Sequence, residues 1–232
     1  MASQIELSVV VPIYKNENTL IKLNNRLIDH LKNFRFEIIY VNDASPDDSL
    51  NILKKLSSDN QNVKYIDLSA NIRQQKATLE GLKKASGTKI VVLDGDLQDK
   101  PELINTLYMI HNTENEAVFV LRKGTYQSFG RMLTSVLAKK IVQFLSGLNY
   151  KAGSYYMIDH LTLSKVLNMA TQCPYPYMSI IVAHCAKNIK YLPAKRDKSA
   201  DSSGYNFIQR IRVTYQAIYC CLYCRYVKLK HF

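Results

Sequence analysis

The tightest constraint on this chain is a strand that ends in carboxylates: Lys89-Ile-Val-Val-Leu-Asp-Gly-Asp-Leu-Gln-Asp-Lys-Pro-Glu102. Lys89–Leu93 is a short β-branched apolar run of the kind that forms a buried strand. It stops at Asp94, Asp96 and Asp99. Asp94 and Asp96 are two apart, so both can project from a strand end into one crevice. Carboxylates so close repel unless a cation or a donor-rich ligand lies between them. Oxygen ligands of this kind suit Mg²⁺ or Mn²⁺, which keep positions open for substrate phosphates. Gly95 lets the backbone turn and approach a ligand closely. The plainer alternative is an acidic strand-to-helix turn, and for Asp99 that reading is preferred, as the cap of a helix opened by Pro101.

The residues before this strand alternate between two hydrophobic periods. Glu6–Pro12, Phe36–Asn42 and Val63–Leu68 read as strands. Thr19–Leu31, Ser49–Leu56 and Gln74–Ala85 read as helices, the last stopped by Gly87. Beyond the acidic strand come a helix at Glu102–His111 and a fifth strand at Glu116–Leu121. Strands separated by amphipathic helices call for an α/β fold with a mostly parallel central sheet and right-handed crossovers. Ligands of such sheets bind beyond the carboxyl ends of the strands. Three of these ends are polar clusters suited to a nucleotide: Pro12-Ile-Tyr-Lys-Asn-Glu17, Asp43-Ala-Ser45 and Asp94-Gly-Asp96.

Charge narrows the partners. The 31 basic and 19 acidic residues leave a net charge of +12, which favours polyanions: nucleic acid, an anionic membrane surface or phosphorylated substrates. No helix-turn-helix, RNA-binding or zinc pattern supports nucleic acid. The five cysteines are odd in number, late and clustered, so they are not a disulfide framework, and the lone Cys221-x-x-Cys224 pair is a poor zinc site. The opening residues lack a basic region ahead of an apolar one, so the expected compartment is a reducing cytosol.

Four segments together carry a resemblance. Ser8-Val-Val-Val-Pro-Ile-Tyr-Lys-Asn-Glu17, Val41-Asn-Asp-Ala-Ser-Pro-Asp-Asp-Ser49, Gln75-Lys-Ala-Thr-Leu-Glu-Gly-Leu82 and Leu93-Asp-Gly-Asp-Leu-Gln-Asp-Lys-Pro-Glu102 resemble, in order and spacing, the family 2 inverting glycosyltransferases of GT-A fold. Within these the chain is most similar to the dolichol-phosphate mannose synthase-like, or polyprenyl-phosphate glycosyltransferase, branch. The resemblance is strong over residues 6–122 and weaker to about residue 210. It implies a GT-A catalytic domain over residues 1–210, with a donor half to about 122 and an acceptor side over 123–210, followed by a basic amphipathic tail at 211–232.

It also implies roles. Pro12, Tyr14 and Glu17 would line the nucleobase and ribose pocket, beside Lys15, and Asp43 would accept a hydrogen bond from the base. Asp94 would lie near ribose and metal, Asp96 would ligate the Mg²⁺ or Mn²⁺, and Gln98 would complete its surroundings. The plainer alternatives are core packing for Tyr14 and a turn or cap for Asp43. Arg122 and Arg131 match arginines that grip a lipid acceptor's phosphate, with Thr134 and Ser135 one helical turn further on. A solvated basic face continuing through Lys139 and Lys140 is the alternative.

Departures from the family follow. Where the branch shows Asp-x-Gly and then an arginine, this chain has Lys151-Ala-Gly153 and Tyr156. An anionic acceptor phosphate needs no base, so the loss is tolerable for that reaction. A sugar hydroxyl would need one, and this segment offers only Asp159 or His160, both better read as the start of a helix. The late Arg-x-x-Gly-x-Ser-Lys-Tyr is degraded to Lys198-Ser-Ala-Asp-Ser-Ser-Gly-Tyr205, in which Lys198 is placed to reach a diphosphate. His184 and Cys185, on an apolar helix at Met178–Ala186, read as core rather than as a metal pair.

In the tail, Ile211–Val227 is too interrupted by charge to span a bilayer. Tyr215, Tyr219 and Tyr223 recur every four residues, a stripe suited either to headgroups, with Arg225, Lys228 and Lys230 meeting anionic lipid, or to docking on the catalytic domain.

The expectation is a metal-dependent hexosyltransferase using a nucleotide-diphosphate sugar, cytoplasmic and peripheral to the cytosolic face of a membrane. Its expected acceptor is a polyprenyl phosphate. The alternatives are a hydroxyl of a lipid-linked glycan in surface polysaccharide assembly, or a nucleotide-sugar-binding protein without catalysis. A membrane-protein partner or a second copy of the chain is compatible with either acceptor.

Overall fold

In the structure, a computed structural model, residues 4–111, 116–123, 140–196 and 207–230 are described. The chain runs β1 (Leu7–Ile13), α1 (Glu17–Leu31), β2 (Phe36–Asn42), α2 (Ser49–Asp59), β3 (Val63–Asp67), α3 (Gln74–Leu82), β4 (Lys89–Val92), α4 (Leu103–Ile110) and β5 (Ala117–Lys123). A helix at 140–146, here α5, precedes β6 (Ala152–Asp159), α6 (His160–Gln172), α7 (Met178–Cys185), β7 (Ile189–Lys195) and α8 (Phe207–Lys230).

One seven-stranded sheet orders these as β3-β2-β1-β4-β6-β5-β7. The expected mostly parallel sheet is present, with one departure: β6 is antiparallel to both β4 and β5. Every residue of β1 and β2 is buried, as continuous apolar strands covered by helices on both faces require. One face packs Leu20, Leu23 and Leu27 of α1 over Val9, Val11 and Ile38. The other packs Ala77 and Leu82 of α3, with Ile181 and Val182 of α7, over Val10, Val41 and Ile90. Gly81 is obligatory there, since a Cβ would stand 2.5 Å from Val10 Cγ1 and 2.9 Å from Val41 Cγ2.

The tail helix α8 docks on the domain. Ala217, Cys220, Cys221 and Cys224 are buried in the core, and all five cysteines are free thiols. Tyr215 and Tyr219 gather around Tyr175, the closer pair edge-on at 5.3 Å. Arg225 donates to the Leu145 carbonyl at 2.8 Å and the Phe144 carbonyl at 3.2 Å, capping the end of α5. The tyrosine stripe is thus partly a docking face. Leu222, Tyr226 and Leu229 point outward with Tyr215 and Ile211 instead. No helix among the described residues is long and apolar enough to cross a membrane.

Away from the strands' carboxyl ends, Glu37 is 1% exposed and ties three segments together. It accepts from Ser8 Oγ at 2.6 Å, Lys64 Nζ at 2.7 Å, and the Ser86 amide and hydroxyl. Burial opposes its charge, but these donors outweigh burial and hold its pKa below the ordinary glutamate value. The resulting stabilisation is complete above the unfolded pKa and is lost as pH falls through the folded one. Glu37→Gln should therefore lower stability at neutral pH by about 2 kcal/mol and make the urea midpoint less sensitive to acid. An unchanged acid limb in urea titrations would remove Glu37 from the explanation of acid unfolding.

Candidate active site

The carboxyl edge of the sheet collects side chains from four strands and one helix. Asp94, just past β4, is their common acceptor. Gln74 at the start of α3 donates to Asp94 Oδ1 at 2.6 Å, and Ser154 of β6 does so at the same distance. Arg196, immediately after β7, reaches Oδ2 at 2.9 Å, and Arg122 of β5 reaches it at 3.3 Å. Antiparallel β6 makes this possible, because its first residues lie at the edge where β4 and β5 end. Gly153 supplies the room: a Cβ there would fall 2.5 Å from the Arg122 guanidinium carbon. The glycine of Lys151-Ala-Gly153 thus has a physical task, whereas Lys151 itself is exposed.

Asp99 is not a helix cap. Helix α4 begins at Leu103 with no side-chain cap, and the Asp99 side chain, 2% exposed, instead accepts from Arg196 Nε at 2.8 Å. Burial and the Asp94 charge push its pKa up against the pull of Arg196 and Arg122. The acidic turn in the sequence is therefore a buried ion-pair site, closed by a residue far along the chain.

Asp96 differs from both neighbours. It is 38% exposed and stands 3.9 Å from Arg196 Nη2. Its Oδ1 accepts the Gln98 amide at 3.0 Å. Burial, then the adjacent Asp94 charge, raises its pKa. Among the described residues no three carboxylate, histidine or cysteine groups converge as a ready-made metal cage. A single accessible carboxylate nevertheless fits Mg²⁺ or Mn²⁺, which are commonly held by one or two carboxylates, water and substrate phosphates. Asp96 meets that requirement. The oxygens of Asp94 are engaged by its donors, Gln74 and Ser154 on Oδ1 and Arg122 and Arg196 on Oδ2.

Beside this cluster, the loops after β1 and β2 are laced together. Lys15 N donates to Ser45 Oγ at 2.7 Å, Glu17 N to Asp47 Oδ2 at 3.1 Å, and Asp48 N to Glu17 Oε2 at 2.9 Å. Tyr14 is 45% exposed and so is not a core residue, while Pro12 is buried within β1. The buried Asp43 carboxylate accepts the Ile72 amide at 2.7 Å, holding the loop before α3. Gly95 faces Ile13 and Asn16, where a Cβ would be 2.8 Å from Ile13 Cδ1, so its small size serves loop packing. Lys15, Ala44, Arg73 and Leu97 all have positive φ. Non-glycine residues seldom adopt it, and strain of this kind gathers at functional sites.

The other expected residues divide clearly. Arg131, Thr134, Ser135 and Lys198 lie outside the described residues. Asp159 caps α6 through the Thr162 amide at 2.6 Å and pairs with Lys89 at the start of β4, the opposite edge from the cluster. His160 contacts the Gly87 carbonyl there at 3.2 Å. Neither is near enough to serve as a base. His184 is buried on α7, and burial, then Lys228 and Arg225, lower its pKa to about 4, so it is a neutral core residue. Arg196, Ser154 and Gln74 were not anticipated. Only the Ala-Gly-Ser at 152–154, one residue from the family's glycine, pointed at any of them.

Residues 8–181 match the family described as Glycosyl transferase family 2. The "uncharacterized glycosyltransferase YkcC" of Bacillus subtilis is 30% identical over 181 residues, which are 75% of this chain and 56% of that protein. Undecaprenyl-phosphate 4-deoxy-4-formamido-L-arabinose transferase of Proteus mirabilis is 26% identical over 223 residues, 93% of this chain and 67% of that one. The chain thus spans little more than half the length of the Bacillus relative. Among solved structures, glucosyl-3-phosphoglycerate synthase from Mycobacterium tuberculosis, in complex with Mn²⁺, UDP and phosphoglyceric acid, superposes with a TM-score of 0.68 at 16% identity. The match covers 95% of this chain and 78% of that one. The fold is the expected GT-A arrangement.

Proposed function

The chain belongs to glycosyl transferase family 2, and from that premise we propose that it moves a sugar, with inversion, from a nucleotide-diphosphate sugar to a polyprenyl-phosphate-type acceptor. The observation that carries this reading is the grouping of Asp94, Asp96, Arg122 and Arg196 at one sheet edge, beside the loops that hold Tyr14, Glu17 and Asp43. The Mycobacterium structure holds Mn²⁺ and UDP, and the Proteus relative is named for undecaprenyl phosphate. Both favour the same chemistry here.

Asp96, with Gln98 beside it, would hold the Mg²⁺ or Mn²⁺. Bound there, a divalent ion offers Lewis-acid neutralisation of the charge that grows on the departing nucleoside diphosphate. Arg122 and Arg196 add guanidinium donors suited to phosphate oxygens, and Lys198 is assigned to the diphosphate as well. Asp43 is assigned to the base, with its carboxylate fixed by the Ile72 amide. Pro12, Tyr14 and Glu17 are assigned to nucleoside contacts, and Arg131, Thr134 and Ser135 to the acceptor phosphate.

A phosphate acceptor is favoured over a hydroxyl because the carboxylate and histidine that would have acted as base, Asp159 and His160, sit at the far edge of the sheet. Helix α8 suits a membrane-bound acceptor. It contains arginines and lysines but no acidic residue and exposes Ile211, Tyr215, Leu222, Tyr226 and Leu229. Such a face matches an anionic lipid surface on the cytosolic side.

The test pairs transfer to a polyprenyl phosphate with donor hydrolysis, across a panel of nucleotide sugars and with Mn²⁺ present. Transfer should appear with one donor and give a product of the expected mass. Arg131→Ala should reduce transfer at least about tenfold while hydrolysis stays near normal, since the lost guanidinium belongs to the acceptor. Equal loss of both activities would move Arg131 to the donor. Donor binding with neither activity would leave a nucleotide-sugar-binding protein.

A further inference from the structure

Arg196 has no place in the family motifs quoted above, yet it makes the closest ion pairs of the cluster. Its Nε lies 2.8 Å from Asp99 and its Nη2 lies 2.9 Å from Asp94 and 3.9 Å from Asp96. The side chain is only 15% exposed, and burial alone would work against its charge, while the three carboxylates more than restore it. A guanidinium held this way is a fixed cation at the position where a divalent ion would have to arrive. A divalent ion held by Asp96 would share that carboxylate's surroundings with Arg196, whose Nη2 is 3.9 Å from Oδ1. Two cations so placed repel, and the low dielectric of a part-buried site strengthens that repulsion.

The charge count gives the reason for the arrangement. Asp94, Asp96 and Asp99 face Arg122 and Arg196, so the two guanidinium groups offset most of the carboxylate charge and leave the cluster close to neutral. A divalent ion alone would make it positive. A divalent ion arriving with a diphosphate would not, because the diphosphate offers Arg196 a new acceptor.

We propose that Arg196 is an internal counter-cation that excludes the bare metal ion from Asp96 and turns to the diphosphate when ion and donor enter together, which makes metal and donor binding interdependent. This rests on the reading of Asp96 as the metal-binding carboxylate. Arg196 thereby has two positions, one on Asp94 and Asp96, the other on phosphate oxygens, with Asp99 as its pivot. Coupling is reciprocal: whatever factor the diphosphate adds to metal affinity, the metal adds to diphosphate affinity.

The experiment measures Mn²⁺ binding by the full chain, first with Mn²⁺ alone and then with Mn²⁺ and inorganic pyrophosphate, for wild type, Arg196→Gln, Arg196→Lys and Asp96→Asn. Arg196→Gln should bind Mn²⁺ alone about tenfold more tightly than wild type, and Mn²⁺ with pyrophosphate about tenfold more weakly. Arg196→Lys, which keeps the charge but not the fork, should fall between them in both. The opposite signs are the discriminating result, because a merely structural arginine would weaken both.

Weaker or unchanged binding of Mn²⁺ alone in Arg196→Gln, with Asp96→Asn abolishing it, would overturn the counter-cation and leave the metal site standing. Tighter binding in both conditions would overturn the diphosphate half. Mn²⁺ binding untouched by Asp96→Asn would remove the metal reading and this inference with it. Arg196→Gln leaves Asp99 buried without its partner, so melting is followed alongside. If it does not fold, the double variant Arg196→Gln/Asp99→Asn, which removes both halves of that pair, takes its place with the same expected signs.

Discussion

Replacing Asp96 with asparagine should cut sugar transfer by about 10²–10³-fold while the protein unfolds at the same urea concentration as before, or at a slightly higher one. The asymmetry follows from what Asp96 touches. Its one short contact is the Gln98 amide, which an asparagine oxygen can still satisfy. Its charge is opposed by burial and by Asp94, so its removal relieves repulsion in the folded state. On the proposed function, what would be lost is the anionic oxygen for the divalent ion, and with it the binding of ion and diphosphate together. Wild-type transfer that persists at full rate in excess chelator would sink the metal requirement, whatever the variant does.

Asp94 should behave in the opposite way. Asp94→Ala removes the acceptor shared by Gln74, Ser154, Arg122 and Arg196, groups drawn from α3, β6, β5 and the end of β7. Two part-buried guanidinium groups would then lose an anionic partner, and two neutral donors an acceptor. The expected cost is about 3 kcal/mol of folding stability, read as a lower urea midpoint with an unchanged slope. Asp94→Asn should cost less, because its amide oxygen still accepts from Ser154 or Gln74 but offers the arginines no charge. Activity would fall in both, for want of an ordered edge. A loss in Asp94→Ala of under about 1 kcal/mol would mean that the cluster orders the site without holding the sheet together.

The contrast between these carboxylates marks where sequence reasoning succeeded and where it stopped. The first five strands and their helices are legible because each is a local pattern: buried runs such as Val9-Val-Val11 and Ile38-Ile39 alternate with helical spacing at Leu20, Leu23 and Leu27. Asp94 and Asp96 stand out because two carboxylates at a strand end have few structural uses. Asp99 was misplaced for the same local reason. Three residues ahead of a helix it looks like a cap, and nothing nearby in sequence announces Arg196. The partners of the cluster come from β5, β6 and β7, whose adjacency depends on the reversal of β6, and no periodicity encodes which way a strand runs. The tail shows a subtler limit. Tyr215, Tyr219 and Tyr223 do share a helix face, but the burial of Cys220, Cys221 and Cys224 rotates part of that face onto Tyr175 and leaves Leu222, Tyr226 and Leu229 outside.

The central place of β6 also bears on how the chain can fold. β1 to β4 are joined by helical crossovers and can assemble as they are made, but the far side of β4 has no partner until β6 pairs Lys89–Val92 with Tyr156–Asp159. Until then the growing chain carries an open edge whose side chains, Ile90, Val91 and Val92, are entirely apolar, the kind of edge that recruits other chains. Pairing between residues so distant in sequence is slow to form. The loops after β1 and β2 and the strand that covers the open edge of β4 are therefore made at different times. A fragment ending after β5, although it would contain Tyr14, Asp43, Asp94 and Asp96, would keep that edge exposed permanently, so the first half of the chain should not be expected to live alone.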